Sequence, residues 1–319
     1  MKKAIAYSAI LLAAVLASAC KKDNTEETVP SLKGLTIEES AVPYVAPGTV
    51  VKFKADVSDI YSSDSEKEPG DIGVYWVVFR NNMTFLRDTL TRNIKLSNPE
   101  FSFTADEIGK YSVNCYAYAK GFSNASATES FSAIDPDSSL AGLEGETTVI
   151  DGRKFYTTEI NGTTWLASNL YGTESGISYY LSSVTDAFLG KYYTWLEATE
   201  ACPEGWKLPT AEEWDSLGED ACSLMTDATL LEEKMWTYWP GMDITNSKLF
   251  NAIPAGYVDL TGGWDNIQGF MDYAIFWTAS ESDNPDFAQF RYIYADQPEV
   301  QKGVGSRHSL ALSVRCIRK

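Results

Sequence analysis

Few side chains in this 319-residue chain could form a catalytic centre. His308 is the only histidine, which argues against a histidine-based zinc site and against a two-histidine, one-carboxylate iron site. The sequence has neither a Gly-x-Ser-x-Gly nucleophile elbow nor a glycine-rich phosphate loop. Its 44 acidic residues allow many carboxylate pairs for glycoside hydrolysis, but no spacing selects one. We therefore predict that the protein is not an enzyme, and that His308 is an exposed loop residue.

The overall charge narrows the choice of partners. The formal net charge is −18, and the hydrophobic content of 44% is sufficient for ordinary cores. An acidic surface repels nucleic-acid phosphates and anionic lipid headgroups, so neither is an expected partner. The length predicts about two domains.

The N-terminus predicts export and a lipid anchor. Residues 1–20 form a signal peptide, with Lys2 and Lys3 before an apolar run that is too short to span a membrane. The small residues before Cys20 resemble a bacterial lipobox, in which the cysteine is acylated after cleavage. Residues 21–31 are charged and predict a tether. A lysine followed by acidic residues after the lipidated cysteine is similar to signals for the outer face of the outer membrane.

Residues 32–135 predict an all-β, immunoglobulin-like sandwich. Val51, Phe53 and Ala55 alternate with charged residues, as in a strand with one buried face. The segment from Asp106 to Val113 has the form of a tyrosine corner around Tyr111. This region resembles bacterial immunoglobulin-like or PKD-like spacer domains, and residues 136–145 predict a linker. Further core strands are expected around Val74, Trp76, Val78, Phe101, Phe103, Val113, Cys115, Ala117, Ala119, Phe131 and Ala133.

The stretch from Cys202 to Trp214 organises the remaining chain. Turn residues lead into a short strand at Trp206, which Pro209 ends because proline cannot donate to a ladder. Thr210 and Glu213 have the spacing of a capping box at the start of a helix.

This stretch and six further blocks resemble the Fibrobacter succinogenes major paralogous (FISUMP) domain family, and residues 146–319 are identified as a member of it. That family is a branch of the C-type-lectin-like superfamily, so the resemblance implies an α+β C-type-lectin-like domain. The matching blocks, in chain order, are Ile150–Gly152 with Phe155–Tyr156, Trp165–Leu170, Tyr192–Trp195, Cys202–Trp214, Phe250–Tyr257, Phe276–Glu281 and Ser313–Arg318.

The resemblance also pairs Cys202 with Cys316 in a disulfide. Related formylglycine-generating enzymes bind copper with two late cysteines, but here Cys316 is the only late cysteine and is committed to the disulfide. Cys115 is expected to be a small buried thiol. Cys222 has no evident partner, and a Cys115–Cys222 bridge is a minor alternative.

Aromatic residues between the blocks are the candidate ligand site. Five tryptophans lie in family blocks and are expected in the core: Trp165, Trp195, Trp206, Trp214 and Trp277. Trp236, Tyr238, Trp239 and Trp264 lie between blocks, and Trp264 precedes Asp265 and Asn266. Exposed rings beside such polar groups suit sugar stacking, although the loops could also fold over their own aromatics. Any ligand is expected at loops 236–241, 258–272 and 281–288.

No cofactor is predicted, although calcium is a minor possibility. The turn at Asp283, Asn284 and Asp286 could hold a hard cation but is expected to be a solvated loop. Trp264–Asn266 and Gln297–Glu299 resemble the ligand motifs of calcium-dependent lectins, but in the wrong chain order.

Three functional hypotheses follow. The first is a surface-anchored lipoprotein with a non-catalytic binding head, for a glycan or a cell-surface protein. The second is an enzyme of the formylglycine-generating type or a hydrolase with unrecognised carboxylates. The third is a structural envelope protein without a ligand.

Overall fold

The computed structural model describes residues 29–38, 43–87, 91–92, 99–237 and 242–319. The predicted signal peptide, Cys20 and most of the tether therefore lie outside the described residues. The chain folds as an N-terminal β-sandwich followed by a β-rich C-terminal region, here called the head, with a few short helices. Across the part of the chain that the structure describes, no helix has the length and apolar character needed to cross a membrane.

Two main sheets form the N-terminal sandwich. One has the order β2-β4-β9, and the other has the order β3-β11-β10-β6-β7, with β8 also pairing to β6. All of these pairs are antiparallel except β3–β11, and β1 pairs with β5 beside them. The strands are β1 Leu32–Lys33, β2 Thr36–Glu38, β3 Tyr44–Val45, β4 Thr49–Asp56, β5 Tyr61–Ser62, β6 Gly73–Arg80, β7 Met83–Arg87, β8 Thr91–Arg92, β9 Glu100–Ala105, β10 Gly109–Tyr118 and β11 Ala125–Ala133.

Period-two alternation explains the sandwich core. In β4, Val51, Phe53 and Ala55 are buried, whereas Val50 on the opposite face is exposed. The predicted core residues of β6, β9, β10 and β11 are buried as well. Because both sheets turn their apolar faces inward, one continuous aromatic core forms between them. The predicted immunoglobulin-like character is therefore supported at the level of a two-sheet β domain.

The predicted tyrosine corner is present. Tyr111 is buried, and its hydroxyl donates to the backbone carbonyl of Glu107 at 2.8 Å. Its ring stacks on Phe131 with the ring centroids 4.9 Å apart. The corner therefore fixes the loop between β9 and β10 to the sandwich core.

The head consists of four small sheets and short helices. Their orders are β12-β17-β18, β13-β14-β15-β25-β16, β20-β19-β24 and β21-β22-β23. The elements are α1 Pro136–Ser139, β12 Leu140–Ala141, β13 Glu146–Ile150, β14 Arg153–Ile160, β15 Thr163–Leu166, α2 Asp186–Leu189, α3 Trp195–Ala201, β16 Trp206–Lys207, α4 Ala211–Asp215, β17 Thr229–Leu230, β18 Glu233–Lys234, β19 Tyr257–Asp259, β20 Ile267–Gln268, β21 Tyr273–Glu281, β22 Phe287–Tyr294, β23 Gln301–Ser306, β24 Leu310–Ala311 and β25 Ile317–Arg318, with 3₁₀ turns at Tyr179–Leu181, Ser183–Thr185 and Leu260–Gly262.

The head therefore agrees only coarsely with the predicted α+β class. Its longest helix, α3, has seven residues, and strands dominate the described part. The five tryptophans expected in the core are all buried, which confirms that part of the prediction.

The segment between the sandwich and the head is folded. Asp135 caps the helical turn α1, and β12 pairs with β17 of the head. Ile134 is fully buried in a cluster of head residues. On the sandwich side, the carbonyl of Tyr44 accepts from the Ser182 hydroxyl at 2.6 Å. Lys110 and Glu233 form an ion pair across the same junction.

Candidate functional site

The stretch from Cys202 to Trp214 folds as predicted. The Thr210 hydroxyl accepts from the Glu213 amide at 3.2 Å, and the Glu213 carboxylate accepts from the Thr210 amide at 2.8 Å. This reciprocal pair is the capping box of α4, and it satisfies two amides that the helix itself cannot. Trp214 and Leu217 then turn into the core. The role of this stretch is to position the sheet and helix beneath the loops.

A second capping box begins α3. The Thr194 amide donates to the Glu197 carboxylate at 2.8 Å, and the Glu197 amide donates to the Thr194 hydroxyl. The sequence reasoning did not find this box, although the signal, Thr followed by Glu three residues later, is present in the sequence.

The disulfide between Cys202 and Cys316 is present, as the family resemblance implied. The Cα atoms lie 5.9 Å apart, and the two residues are 114 positions apart in the chain. Because β25 follows Cys316 directly and pairs with both β15 and β16, the bond closes the head at its central sheet. Cys316 therefore has no free sulfur for a copper site.

A buried guanidinium joins three of the family blocks. Arg315 is fully buried and donates to the Asn169 side-chain oxygen at 2.8 Å and to the carbonyls of Phe250 and Asn251 at 2.8 and 2.9 Å. Its guanidinium also lies 4.8 Å from the centroid of the Phe250 ring. Burial lowers the pKa of Arg315 to about 9, so it remains charged at neutral pH. This network is a structural centre beneath the loops, and sequence reasoning had placed Arg315 in a block without a role.

The hairpin of β19 and β20 carries the predicted aromatic and polar residues. Trp264 is 48% exposed at its loop, and Asp265 beside it is exposed. The Asn266 amide group donates to the Asp259 carbonyl at 3.0 Å, and its oxygen accepts from Gln268. Asn266 therefore fixes the loop, while Trp264 and Asp265 remain available to a ligand. Their ligand role stays a prediction.

The loop is further held at its base. The Asp259 carboxylate accepts from the Thr261 hydroxyl at 2.6 Å and from the Thr261 amide at 3.0 Å. These hydrogen bonds lower the pKa of Asp259. The exposed Trp264 ring therefore lies on a loop that is held in place by its own hydrogen bonds.

The predicted loop 236–241 is described only in part. Trp236 is buried, and its indole N–H donates to the Thr226 carbonyl at 3.1 Å. This ring belongs to the core, because a buried indole with a satisfied donor packs as an interior side chain. Tyr238 and Trp239 lie outside the described residues.

A cluster of tyrosines that sequence reasoning missed lies beside the hairpin. Tyr257, Tyr273, Tyr292 and Tyr294 are all half-buried. The rings of Tyr273 and Tyr294 stack with their centroids 4.4 Å apart. Burial raises the pKa of Tyr273, and the neighbouring phenol of Tyr294 raises it further. We call these four residues the tyrosine cluster.

Gly269, at the end of the hairpin, lies against the tyrosine cluster. It has a φ of +63°, and a Cβ there would lie 2.5 Å from the Tyr273 ring. The ring therefore packs directly on the backbone at the end of β20. Tyr257 pairs with Gln268 in the same hairpin. The tyrosine cluster thus adjoins the end of this hairpin, and the hairpin loop together with the cluster is here called the loop face.

The remaining thiols and the histidine match expectation. Cys115 is a buried free thiol, and burial raises its pKa to about 12. Cys222 is also free, so the alternative bridge between them is not formed. His308 is exposed, as predicted.

The predicted cation turn forms a self-contained loop. The Asn284 side chain accepts from the Asp286 amide at 3.0 Å, and Ser282 contributes two further local hydrogen bonds. Within the described ranges, no group of three or more His, Cys, Asp or Glu residues could hold a metal ion.

Comparison with known proteins identifies one sequence match. The family model described as the Fibrobacter succinogenes major domain matches residues 153–318, just over half of the chain. No curated protein sequence matches the chain.

Similar solved structures were found at low scores. The CARDB domain of the PF1109 protein from Pyrococcus furiosus, in a crystal structure with di-metal ions, has 14% identity and a TM-score of 0.24, over 34% of this chain and 90% of that one. The Yersinia pseudotuberculosis adhesin InvE has 10% identity and a TM-score of 0.26, over 90% of this chain and 70% of that one. Such scores carry no functional argument.

Proposed function

Because the chain belongs to the Fibrobacter succinogenes major domain family through residues 153–318, we propose that it is a lipid-anchored surface protein with a non-catalytic binding head. In this proposal the head has a C-type-lectin-like fold and binds a neutral glycan at the loop face. Cys20 carries the anchor in the outer membrane, and the sandwich is a spacer that holds the head away from the lipid.

One observation carries the ligand proposal: the half-exposed Trp264 ring on a loop that its own polar groups hold in place. A tryptophan at 48% exposure leaves much of its ring accessible. Because Asn266 and Asp259 already fix the loop, a ligand does not have to order it on binding. The adjacent Asp265 carboxylate can accept from a sugar hydroxyl. These features favour stacking plus one hydrogen-bonded contact.

The non-catalytic part of the proposal draws on the disulfide. Formylglycine-type chemistry requires free late cysteines, and the sulfur of Cys316 is bonded to Cys202. The five predicted core tryptophans of the head are buried, whereas Trp264 on the loop face is exposed.

The test is a glycan array probed with the full-length protein, with and without calcium, followed by titration of any bound glycan. We expect Trp264→Ala to weaken binding by about five- to thirtyfold, since one stacked ring contributes about 1–2 kcal/mol. Leu196→Ala is the matched control, because Leu196 on α3 is 49% exposed and lies outside the loop face.

Two outcomes would overturn the proposal. One is that no glycan on the array binds. The other is that Trp264→Ala and Leu196→Ala bind a positive glycan as well as the unchanged protein does, while both variants remain folded.

A further inference from the structure

A groove on the five-stranded sheet of the head is a second candidate binding site. It has a volume of about 660 Å³, within the range of known small-molecule sites. All five strands, β13, β14, β15, β25 and β16, contribute to its lining. With strands about 4.8 Å apart, the groove spans about 19 Å across the sheet. It is therefore an elongated site. The polar side chains that matter here are those of Glu146, Thr148, Thr157, Glu159 and Thr164.

The strand register places five of its polar side chains on one face, whereas Thr147 and Thr158 alternate to the other. Glu146 lies opposite Thr157, and Glu159 lies opposite Thr164. Opposed residues in a register, and residues two apart along a strand, project to the same side of a sheet. These four side chains, with Thr148, therefore converge on the groove.

These polar groups are not used by the protein itself. Among the hydrogen bonds and ion pairs of the described residues, none involves the side chains of Glu146, Glu159 or Thr157. The same holds for Thr148 and Thr164. By contrast, the Thr158 hydroxyl donates to the Lys248 carbonyl at 2.8 Å. The groove thus presents hydroxyls and carboxylates whose hydrogen-bonding capacity is open to a ligand.

One end of the groove carries the only cation of its lining. The Arg318 guanidinium lies 5.7 Å from the centroid of the Trp206 ring, and Trp206 is 7% exposed. The ring is therefore covered and cannot stack on a ligand. Recognition in this groove must use hydrogen bonds rather than ring contact, unlike the loop face.

The donor and acceptor types define the ligand class. Threonine hydroxyls both donate and accept, carboxylates accept, and the guanidinium donates, which is the complement of a chain of sugar hydroxyls. Two carboxylates against one guanidinium disfavour a polyanion. We propose that this groove binds a neutral oligosaccharide chain several sugar units long, independently of the loop face.

The test is calorimetric titration of the full-length protein with glucose, cellohexaose, mannohexaose and a polygalacturonate oligomer. We expect a neutral hexasaccharide to bind, while glucose and the acidic oligomer bind at least about tenfold more weakly. The triple variant Thr148→Val, Thr157→Val, Thr164→Val keeps the shape of the groove but removes three hydroxyls. It should weaken hexasaccharide binding about tenfold or more.

Two matched variants separate the possible outcomes. Thr163→Val on the same strand as Thr164 lies outside the groove lining and should bind normally. Trp264→Ala tests the loop face and shows how much of the hexasaccharide signal belongs to that face rather than to the groove. Because the triple variant could disturb the sheet, Glu159→Gln at its exposed position provides a second test and should also weaken binding.

The inference is overturned if neither hexasaccharide binds at millimolar concentration. It is also overturned if binding occurs but survives both the triple variant and Glu159→Gln, or if Trp264→Ala alone abolishes it. That last result would support the loop face and reject the groove, so the two proposals fail separately.

Discussion

The sandwich and the head reach a closed core by different means. The sandwich uses strands of up to ten residues, of which β4, β9 and β10 alternate strictly, and its interior is apolar and aromatic. The head has many two-residue strands and helices of four to seven residues. A disulfide across 114 positions and a fully buried Arg315 tie these short pieces together. Regular strands can be stabilised by local pattern, whereas short pieces need specific long-range links.

The largest expected effect comes from breaking the disulfide of the head. The double variant Cys202→Ala, Cys316→Ala should lower the free energy of unfolding by about 4–5 kcal/mol, the chain-entropy value for a loop of about a hundred residues. Tryptophan fluorescence during urea unfolding reports mainly on the head, because eight of the nine tryptophans lie there. Cys222→Ser is the control and should change stability little. An equal loss of unfolding free energy in the double variant and in Cys222→Ser would contradict the claim that the head depends on this disulfide.

Removing the buried guanidinium of Arg315 should lower the free energy of unfolding slightly less than removing the disulfide does. Arg315→Met leaves the Asn169 oxygen and two backbone carbonyls without a donor, so we expect a loss of about 3–5 kcal/mol. Arg318→Met, three residues later and exposed, should lose under about 1 kcal/mol. Urea unfolding of both variants checks the difference. A small effect at Arg315 would show that the network merely fills space.

A partly exposed ion pair of the head gives an intermediate, pH-dependent effect. Asp215 accepts from Arg291 at 2.7 Å and from Lys302 at 2.8 Å. Both contacts lower the pKa of Asp215, and the hydrogen bond from Arg291 has the larger effect. Asp215→Asn leaves the buried Arg291 without its carboxylate partner. We expect the free energy of unfolding to fall by about 2 kcal/mol, less than for a fully buried ion pair because the Asp215 side chain is 38% exposed.

The sign of the pH effect follows from the lowered pKa. A carboxyl whose folded pKa is depressed stabilises the fold above its unfolded pKa, about 3.9, and this contribution is lost as pH falls through the lower folded value. The stability difference between the unchanged protein and Asp215→Asn should therefore shrink below about pH 4. Urea unfolding at neutral and acid pH measures it, and an unchanged difference would contradict the assigned pairing.

The smallest effect is expected in the sandwich. Tyr111→Phe removes the hydroxyl that donates to the Glu107 carbonyl, and we expect a loss of about 1 kcal/mol. Tyr116→Phe on the outer face of the same strand is the matched control, because its hydroxyl makes no hydrogen bond within the described residues. Calorimetry of the two variants sharpens the comparison, since a larger loss would mean that the sandwich also depends on single polar contacts.

Sequence reasoning succeeded where structure follows from near neighbours. The alternation through Val51, Phe53 and Ala55 correctly predicted a buried strand face. The spacing of Thr210 and Glu213 correctly predicted a capped helix, since a capping box needs only four residues. The disulfide required the family resemblance, because nothing local pairs Cys202 with Cys316.

Sequence reasoning failed where a site is assembled from distant segments. Arg315 reaches partners 64 to 149 positions away, and no periodicity encodes those contacts. The tyrosine cluster draws residues from β19, β21 and β22, and Tyr273 lies opposite Tyr294 in a strand register that local periodicity does not give. Trp236 and Trp264 both lie between family blocks, yet one is buried and the other half-exposed, so that position alone did not predict burial.

The folded junction between the sandwich and the head has a mechanical consequence. A free linker of ten residues, 136–145, would extend about 33–36 Å and let the head swing under load. Instead α1 and β12 are docked, Ile134 is buried among head residues, and Tyr44 and Lys110 contact the head from the sandwich. A force applied to the head would therefore reach the sandwich through paired strands and packed side chains rather than through a free length of chain.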